Sequence, residues 1–529
     1  MTGANWFTRT RLALSEFSRL GLRHVPDAPA LPVRDPWPGD PARGARIMRG
    51  EFDHLGGMRP IKKDGWAEVT GSEQLRAALH GFVWLRDLRA LGSDGARART
   101  RALVQDWLGA VPDPIAAQPD VMGNRIAAWL AHYDFFAASA DDYFRQRLMT
   151  RLLADARALA VAIPVECNDG RALSALKGLI AAATAIPEHG ALLARALKFL
   201  PAEIARQVLP DGMHCERSPA AHLAALQNLI EIRNMLQAAG AAPVQVLASA
   251  IERMSAALRL LRHGDGGLAL FNGTVEIAPN LIELALTQAG RSNRMPAALD
   301  DGGFSRLQAG RTLVIVDSGA PVLAGLDRFA HAGTLSFELS VGRERMIVNC
   351  GALPGASSAW HEALRATAAH STLVVADTNS SELTETGLGK RAGKVEIARQ
   401  DAGGALWLDM TQDGWARNLG ILHHRRLYLS ADGADLRGED LMEGQAPYGG
   451  VVRFHLHPNV QASLQQDGEA VLLRLPLGGF WRIRADGGMI GIEESIYFGS
   501  GEPRRSEQVT VTIPSDGPQQ AKWAISRLG

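Results

Sequence analysis

The stretch RFAHAGTLSFELS at 328–340, with IVNCG at 347–351 and RATAAHSTLVVADTNSSE at 365–382, decides the fold of the second half of this chain. Leu335, Phe337 and Leu339 alternate with polar residues, a period that is typical of a strand with one solvent-facing side. His331 lies on the apolar phase of this predicted strand. Because Gly342 permits a turn, residues 344–350 are predicted to return as the second strand of a hairpin.

The length of that turn decides which side chain faces His331. A two-residue loop at 341–342 places Cys350 on the face of His331, whereas one more residue places Asn349 there. His370 opens the next β-rich run. Two imidazoles with an amide or thiol from neighbouring strands can hold Zn²⁺, so the residues predict a zinc site and leave its third ligand open.

The amino-acid composition excludes some classes of function. The chain has 529 residues, of which 46% are hydrophobic and 21% charged, and this length predicts several domains of an ordinary globular protein. Its 56 basic and 56 acidic residues balance, which argues against general nucleic-acid binding. The 3 cysteines form no CxxC pair and predict no disulfide framework. Neither a glycine-rich phosphate loop nor a GxSxG elbow is present, so no organic cofactor is expected.

The N-terminal sequence MTGANWFTRTRLALSEFSRLGLR has no unbroken apolar core, and a short amphipathic helix is predicted at 15–22. We therefore expect neither a cleavable signal peptide nor a transmembrane segment.

Three regions follow from the pattern of the chain. Residues 1–70 are rich in Pro, Gly and Asp and are predicted to be extended, apart from the short helix. Residues 71–295 carry apolar residues at helical spacing and predict an all-α domain of helical hairpins, arranged as a bundle, a solenoid or a closed ring. Short alternating runs at 300–529 predict an all-β domain, an antiparallel sandwich. The predicted fold class is therefore α followed by β.

The segment VLPDGMHCERSPAAHL at 208–223 is the most informative part of the helical region. Ser218 is a suitable N-cap and Pro219 suits the first helical position. His214 and Arg217 thus precede a helix N-terminus, where backbone donors and the helix dipole favour an anion. His222 lies in the first turn.

Both motifs resemble the heparinase II/III family of polysaccharide lyases. The family's HAHAD pattern corresponds to 329–333 here, with Phe329 and Gly333 replacing a histidine and the aspartate. The resemblance implies an (α/α) toroid packed on a β-sandwich, with the substrate cleft between them. It also implies a structural zinc held at His331, Asn349 and His370.

The resemblance further implies β-elimination on an acidic, uronate-containing polysaccharide. That reaction removes the C5 proton, neutralises the carboxylate and protonates the leaving oxygen. Since Ala221 stands where the family has its catalytic tyrosine, proton transfer is expected from His222, His214 and His331, whose residue type titrates near neutrality.

The remaining site residues complete the prediction. Asn168 is the predicted carboxylate-neutralising residue and Arg217 joins the catalytic set. Arg171 near Asn168, together with Trp84 and Arg125, could bind the sugar, because aromatic rings stack on pyranoses and arginine grips carboxylates.

Two functions from different classes remain. The first is a polysaccharide lyase. The second is a glycan-binding or envelope-biogenesis protein that has kept the scaffold and lost or weakened the lyase chemistry. The resemblance implies the cell envelope or periplasm, and because no signal peptide is visible the cytoplasm is the alternative.

Overall fold

The computed structural model describes residues 25–54, 57–61, 66, 71–110, 113–166, 169–186, 190–290, 295–353, 358–445, 447–465 and 468–528. The predicted helix at 15–22 and the candidate Asn168 lie outside these ranges. Among the described residues, no helix has both the length and the hydropathy needed to cross a membrane.

Helices dominate the chain as far as Ala289. They are α1 (Pro41–Met48), α2 (Glu73–Gly81), α3 (Leu85–Leu91), α4 (Asp94–Gly109), α5 (Pro119–Ala131), α6 (Tyr133–Phe136), α7 (Asp142–Ala162), α8 (Arg171–Ala185), α9 (Gly190–Gln207), α10 (Pro219–Ala238), α11 (Gln245–Leu260) and α12 (Pro279–Ala289). Two further helices, α13 (Ser358–Arg365) and α14 (Ala416–Leu419), lie among the strands.

Local sequence explains where several helices begin and how two of them pack. Ser72, Ser93 and Asp141 accept hydrogen bonds from backbone amides of the first turns of α2, α4 and α7. Helices α5 and α8 approach each other at Gly123 and Gly178, where a Cβ on Gly178 would lie 2.2 Å from the Cα of Gly123. The two glycines therefore allow backbone contact between these helices.

Strands form two small hairpins and two large antiparallel sheets. They are β1 (Glu51–His54), β2 (Gly57–Pro60), β3 (Ala298–Leu299), β4 (Phe304–Ala309), β5 (Thr312–Asp317), β6 (Phe337–Val341), β7 (Glu344–Val348), β8 (Leu373–Val375), β9 (Leu383–Thr384), β10 (Gly387–Leu388), β11 (Val395–Ala402), β12 (Ala405–Gln412), β13 (Ile421–Leu429), β14 (Asp435–Gly444), β15 (Gly450–Leu456), β16 (Gln461–Gln465), β17 (Ala470–Arg474), β18 (Phe480–Asp486), β19 (Met489–Tyr497), β20 (Arg504–Ile513) and β21 (Gln520–Leu528).

The two large sheets form a sandwich. One has the order β11-β12-β13-β14-β21-β18-β17-β16, and the other β19-β20-β15-β7-β6-β5-β4-β3, with β8 pairing to β15. Phe337, Phe454 and Val511 of the second sheet share one buried apolar cluster with Leu427 and Ile525 of the first. This is the packing expected of antiparallel sheets that each bury one face.

The chain divides into two compact units. One comprises residues up to Gln207 with Ala225–Ile251, and the other comprises Val208–Ala224 with Glu252–Gly529. The change from helices to strands occurs between Ala289 and Ala298, close to the predicted position. The second unit nevertheless includes the loop before α10, because that loop is hydrogen-bonded to β-strand residues.

Candidate functional site

The loop before α10 has a fixed backbone. Val208 and His214 form an antiparallel bridge across the turn at 210–212. Gly212 has φ +92, and a Cβ there would lie 2.4 Å from the carbonyl oxygen of Arg253. Only glycine suits this position, because an L side chain would be strained and would clash with that carbonyl.

The N-terminus of α10 uses its amides internally. Ser218 Oγ accepts a hydrogen bond from the Ala221 amide at 3.4 Å, and Thr274 Oγ1 accepts one from the Ala220 amide at 3.1 Å. Pro219 is the first helical residue, as predicted. This corrects the prediction that the helix end binds an anion. Side-chain hydroxyls of the same unit already accept the hydrogen bonds of these backbone amides.

Arg217 ties the loop to the β-sandwich. Its guanidinium donates to the carbonyls of Gly302 at 2.7 Å and Gly303 at 2.9 Å, and it forms an ion pair with the carboxylate of Asp317. Arg217 is buried, and burial raises the pKa of Asp317, an effect that the guanidinium opposes. The predicted catalytic role for Arg217 is corrected to a positioning role, because its donors are bound to the protein.

His214 and His222 contact each other inside the second unit. His222 Nδ1 accepts from the His214 amide at 3.2 Å, so Nε2 carries the proton and donates to the Met254 carbonyl at 2.9 Å. His214 Nδ1 accepts from the amide of Glu216 at 3.4 Å. Burial lowers the pKa of His222 to about 4, so its imidazole is neutral at physiological pH.

His331 precedes the strand on which it was predicted to lie. Strand β6 begins at Phe337, and residues 331–336 form a turn-rich segment in which Leu335 has φ +63. A positive φ is incompatible with a regular strand, which corrects the predicted start. Glu338 on the predicted wet face is fully buried, because His263 Nε2 bonds its carboxylate at 2.8 Å.

The structure brings His331 and His370 together. His331 Nε2 accepts from the Gly273 amide at 3.0 Å, so its proton is on Nδ1 and is donated to His370 Nε2 at 3.0 Å. His370 Nδ1 then donates to the Ala366 carbonyl at 2.8 Å. Burial holds the pKa of His370 at about 4 and that of His331 well below its usual value. The pair forms a neutral hydrogen-bonded chain.

Asn349, rather than Cys350, is bonded to the backbone next to His370. Its Oδ1 accepts from the Ser371 amide at 3.0 Å, whereas the Cys350 thiol is near His455 at 3.5 Å. The hairpin loop is Gly342–Arg343, and a β-bulge between Leu339 and Ser340 shifts the register of the two strands. The length of the turn is therefore not sufficient to predict which residue faces the histidines, because the bulge also changes the register.

These side chains do not fit a zinc ion as they are arranged. Each ring nitrogen of His331 and His370 has a hydrogen-bond partner, and the Asn349 amide supplies no negative charge. Structural zinc sites are usually completed by deprotonated ligands. Within the described ranges, no group of three or more His, Cys, Asp or Glu side chains could hold a metal ion.

The predicted sugar-binding residues of the first unit have different surroundings. Arg125 is fully buried, bonds the Asp155 carboxylate at 2.6 and 3.0 Å, and packs over the ring of Trp107. Trp84 is buried and donates to the Leu79 carbonyl. Their placement in the core corrects the prediction that they line an open cleft. The part-exposed Arg171 pairs with Asp169 at 2.9 Å.

Sequence reasoning missed a part-exposed pair beside the histidines. The guanidinium of Arg328 packs over the ring of Phe329 at 4.5 Å, and buried Glu216 accepts from Arg328 Nε at 3.1 Å. The side chain of Arg328 is 36% exposed. Phe329 packs close to Gly273, whose amide bonds His331. The adjacent Arg-Phe dipeptide was the available signal, but its partner Glu216 is distant in sequence.

Comparisons with known proteins agree with this fold. The family model described as heparinase II/III N-terminus matches residues 118–276, and the one described as heparinase II/III-like, C-terminal, matches residues 291–524. FtsZ-localized protein C of Caulobacter vibrioides (strain NA1000 / CB15N) is 34% identical over 519 residues, which cover 93% of this chain and 89% of that protein.

Solved structures show the same architecture. The crystal structure of heparinase III superposes with a TM-score of 0.77 at 15% identity, covering 98% of this chain and 89% of that chain. Heparan sulfate lyase HepC from Pedobacter heparinus gives 0.61 at 17% identity, covering 98% and 88%. At these identities the likeness concerns the fold, and it confirms the predicted (α/α) toroid followed by a β-sandwich.

Proposed function

Because the chain belongs to the heparinase II/III-like family, we propose that it binds an acidic glycan in cell-envelope biogenesis and does not catalyse efficient β-elimination. One observation carries this proposal. The imidazoles of His222 and His331, which the sequence offers for proton transfer, are buried and neutral, and each of their ring nitrogens is hydrogen-bonded inside the protein.

Proton abstraction at C5 needs a base that reaches the sugar. A general base must lie within hydrogen-bond distance of the proton that it removes, with a pKa near the working pH. His222 has its acceptor nitrogen on the His214 amide and a pKa of about 4. With Ala221 in place of a tyrosine, no phenol is available there either.

Two neighbouring residues, one of which stands where the family pattern has a histidine, suit binding. Phe329 offers an aromatic ring to a pyranose, and Arg328, held by Glu216, offers a guanidinium to a carboxylate. Both are part-exposed. These features support recognition of a uronate without its cleavage.

The relative, rather than the fold, supports a proposal for the compartment. The Caulobacter vibrioides relative is named as an FtsZ-localized protein. We propose that this chain also localises with FtsZ, on the cytoplasmic side, which is the second of the two compartments predicted from the sequence. Co-localisation of a fluorescent fusion with FtsZ tests this, and a periplasmic location in a protease-protection assay would contradict it.

The enzymatic part is tested with the purified protein and a panel of acidic polysaccharides. We expect no rise in the ultraviolet absorbance of a 4,5-unsaturated uronate, together with measurable binding of one polymer by calorimetry. Ala221→Tyr is expected to remain inactive, because His222 stays buried. Product formation that disappears in His222→Gln would instead establish a lyase.

The variant Arg328→Ala tests the binding part of the proposal. It should bind that polymer at least about tenfold more weakly, because a charged contact is lost. Arg399→Ala is the matched control, because its side chain is 31% exposed and pairs with Asp300 elsewhere on the unit. Equal affinity of both variants, or no binding by the unmodified protein, would refute the proposal.

A further inference from the structure

A straight row of side chains crosses the outer face of the eight-stranded sheet. Each member is the direct cross-strand partner of the next: Gln400 on β11, Trp407 on β12, Tyr428 on β13, Arg437 on β14, Ala524 on β21 and Arg484 on β18. Such pairs place their side chains on the same face of the sheet. The row is therefore a continuous strip that runs perpendicular to the strands.

A second row runs beside it with alternating charge. Its members are Asp409, Arg426, Glu439, Lys522 and Asp486, again as direct cross-strand partners. Arg426 bonds Asp409 and Glu439 at 3.1 Å each, and Lys522 lies 3.8 Å from Glu439. These ion pairs hold the charged groups of the second row in place along one side of the strip.

An open groove of about 620 Å³ follows the first row, and its lining includes Trp407, Tyr428, Arg437, Ala524 and Arg484 from that row with Arg426, Glu439, Lys522 and Asp486 from the second. Ala524 pairs with both Arg437 and Arg484, so the smallest side chain of the row lies between two guanidiniums. From Trp407 to Arg484 the row spans four inter-strand steps, or about 19 Å. That length suits several pyranose rings laid end to end.

Two aromatic side chains, Trp407 and Tyr428, lie at one end of the groove. The rings of Trp407 and Tyr428 lie 4.8 Å apart, Arg437 packs over Tyr428, and Trp407 is 36% exposed. A large aromatic side chain exposed on a sheet face loses the burial that normally stabilises it. Stacking on the C–H face of a sugar ring would supply that contact.

The charges of the groove indicate an uncharged ligand. Four cations (Arg426, Arg437, Arg484 and Lys522) and three anions (Asp435, Glu439 and Asp486) line the groove, and Arg426 also pairs with Asp409 outside the lining, so the charges nearly balance. Asp435 pairs with Arg437 and also accepts from Ser526 Oγ at 2.8 Å. A polyanion gains little overall from such a surface, whereas hydroxyl groups can bond with both kinds of charged group.

We propose that this face binds a neutral oligosaccharide, with one pyranose on Trp407 and the following rings along the groove towards Arg484. The site belongs to the β-sandwich and is independent of the acidic-glycan site proposed at Arg328. It gives the protein a second sugar-binding surface, which takes a neutral rather than an acidic glycan.

Calorimetry and tryptophan fluorescence with neutral hexamers of β-1,4-linked glucose and N-acetylglucosamine test this inference. We expect the unmodified protein to bind at least one hexamer and Trp407→Ala to bind it at least tenfold more weakly. Trp360→Ala is the matched control, because Trp360 is 41% exposed on α13, and it should bind like the unmodified protein.

Ala524→Tyr provides a second test that removes no aromatic ring. A bulky side chain between Arg437 and Arg484 should block the groove and reduce affinity at least tenfold. The inference is overturned if neither hexamer binds, if Trp407→Ala and Ala524→Tyr bind normally, or if the groove variants alter the binding of an acidic polymer alone. Arg328→Ala should leave hexamer binding unchanged, which separates this result from the fate of the proposed function.

Discussion

Gly333 lies against the ring of His370, and this contact explains the glycine in the motif. A Cβ on Gly333 would be 2.6 Å from Cδ2 and 3.0 Å from Nε2 of His370. The family pattern has an aspartate at this position. Glycine in its place removes a carboxylate side chain and leaves room beside the backbone. The imidazole of His370 occupies that space and bonds His331.

Replacement of that glycine, Gly333→Asp, is therefore expected to destabilise the protein by roughly 1–3 kcal/mol, the usual cost of overpacking a buried site. The measurement is the free energy of unfolding in denaturant. Gly109→Asp is the control, because a Cβ at Gly109 meets no atom within 4 Å. Equal stability of the two variants would show that His370 can move aside freely.

The arrangement of His331 and His370 also predicts a protein without a zinc requirement. The purified protein should contain far less than one zinc per chain, and a chelator should leave its thermal midpoint unchanged, because the ring nitrogens already have partners. Elemental analysis checks the first statement and calorimetry the second. One tightly held zinc that is lost in His370→Ala would contradict both.

Strand β5 and the loop before α10 are held together through one buried ion pair. Arg217 adopts φ +52 and reaches Asp317 at the end of β5, with further bonds to carbonyls at 302 and 303. Because these groups are nearly inaccessible to solvent, water screens their interaction little. The conformation of the loop depends on this contact, and the positions of His214 and His222 depend on the loop.

Arg217→Met should therefore destabilise the protein by about 3–5 kcal/mol, since it leaves the Asp317 carboxylate buried without its cation. The double variant Arg217→Met/Asp317→Asn should recover part of this loss, because it removes the uncompensated charge. Denaturant unfolding of both variants measures the difference. A single variant as stable as the unmodified protein would mean that the loop is held by its other bonds.

Burial keeps several histidines of the whole molecule neutral. Desolvation lowers the pKa of His80, His222 and His457 to about 4 and that of His455 to about 3. In the unfolded chain these side chains titrate near 6.5. Between these values the unfolded state binds more protons than the folded state, so stability is complete above about pH 6.5 and falls as the pH drops towards 4.

We expect the free energy of unfolding to decrease by several kcal/mol between pH 7 and pH 4. His222 alone contributes roughly 3 kcal/mol, since each unit of pKa shift corresponds to about 1.4 kcal/mol. His222→Gln can keep both hydrogen bonds and should show a correspondingly smaller pH dependence in denaturant unfolding. An identical dependence in both proteins would show that His222 is not protonated on unfolding in this range.

Much of the architecture could be predicted from local patterns. Helical spacing and strand alternation gave the order of the two halves, and Ser218 and Pro219 marked the start of α10. The burial of individual side chains was predicted less well where segments distant in sequence are in contact. Glu338 has the alternation of an exposed residue, yet His263 covers it, and Trp84 and Arg125 have the residue types of a sugar cleft, yet they lie in the core.

The sequence by itself determined the family and the fold, because these rest on periodicity and on motifs whose residues are close together in the chain. Only the tertiary structure decided what the candidate residues can do. The bulge in the β6–β7 hairpin selects Asn349 over Cys350, and the protonation of His222, His331 and His370 depends on hydrogen bonds from separate segments. Such long-range contacts fix burial and tautomer, and a linear pattern of residues contains neither.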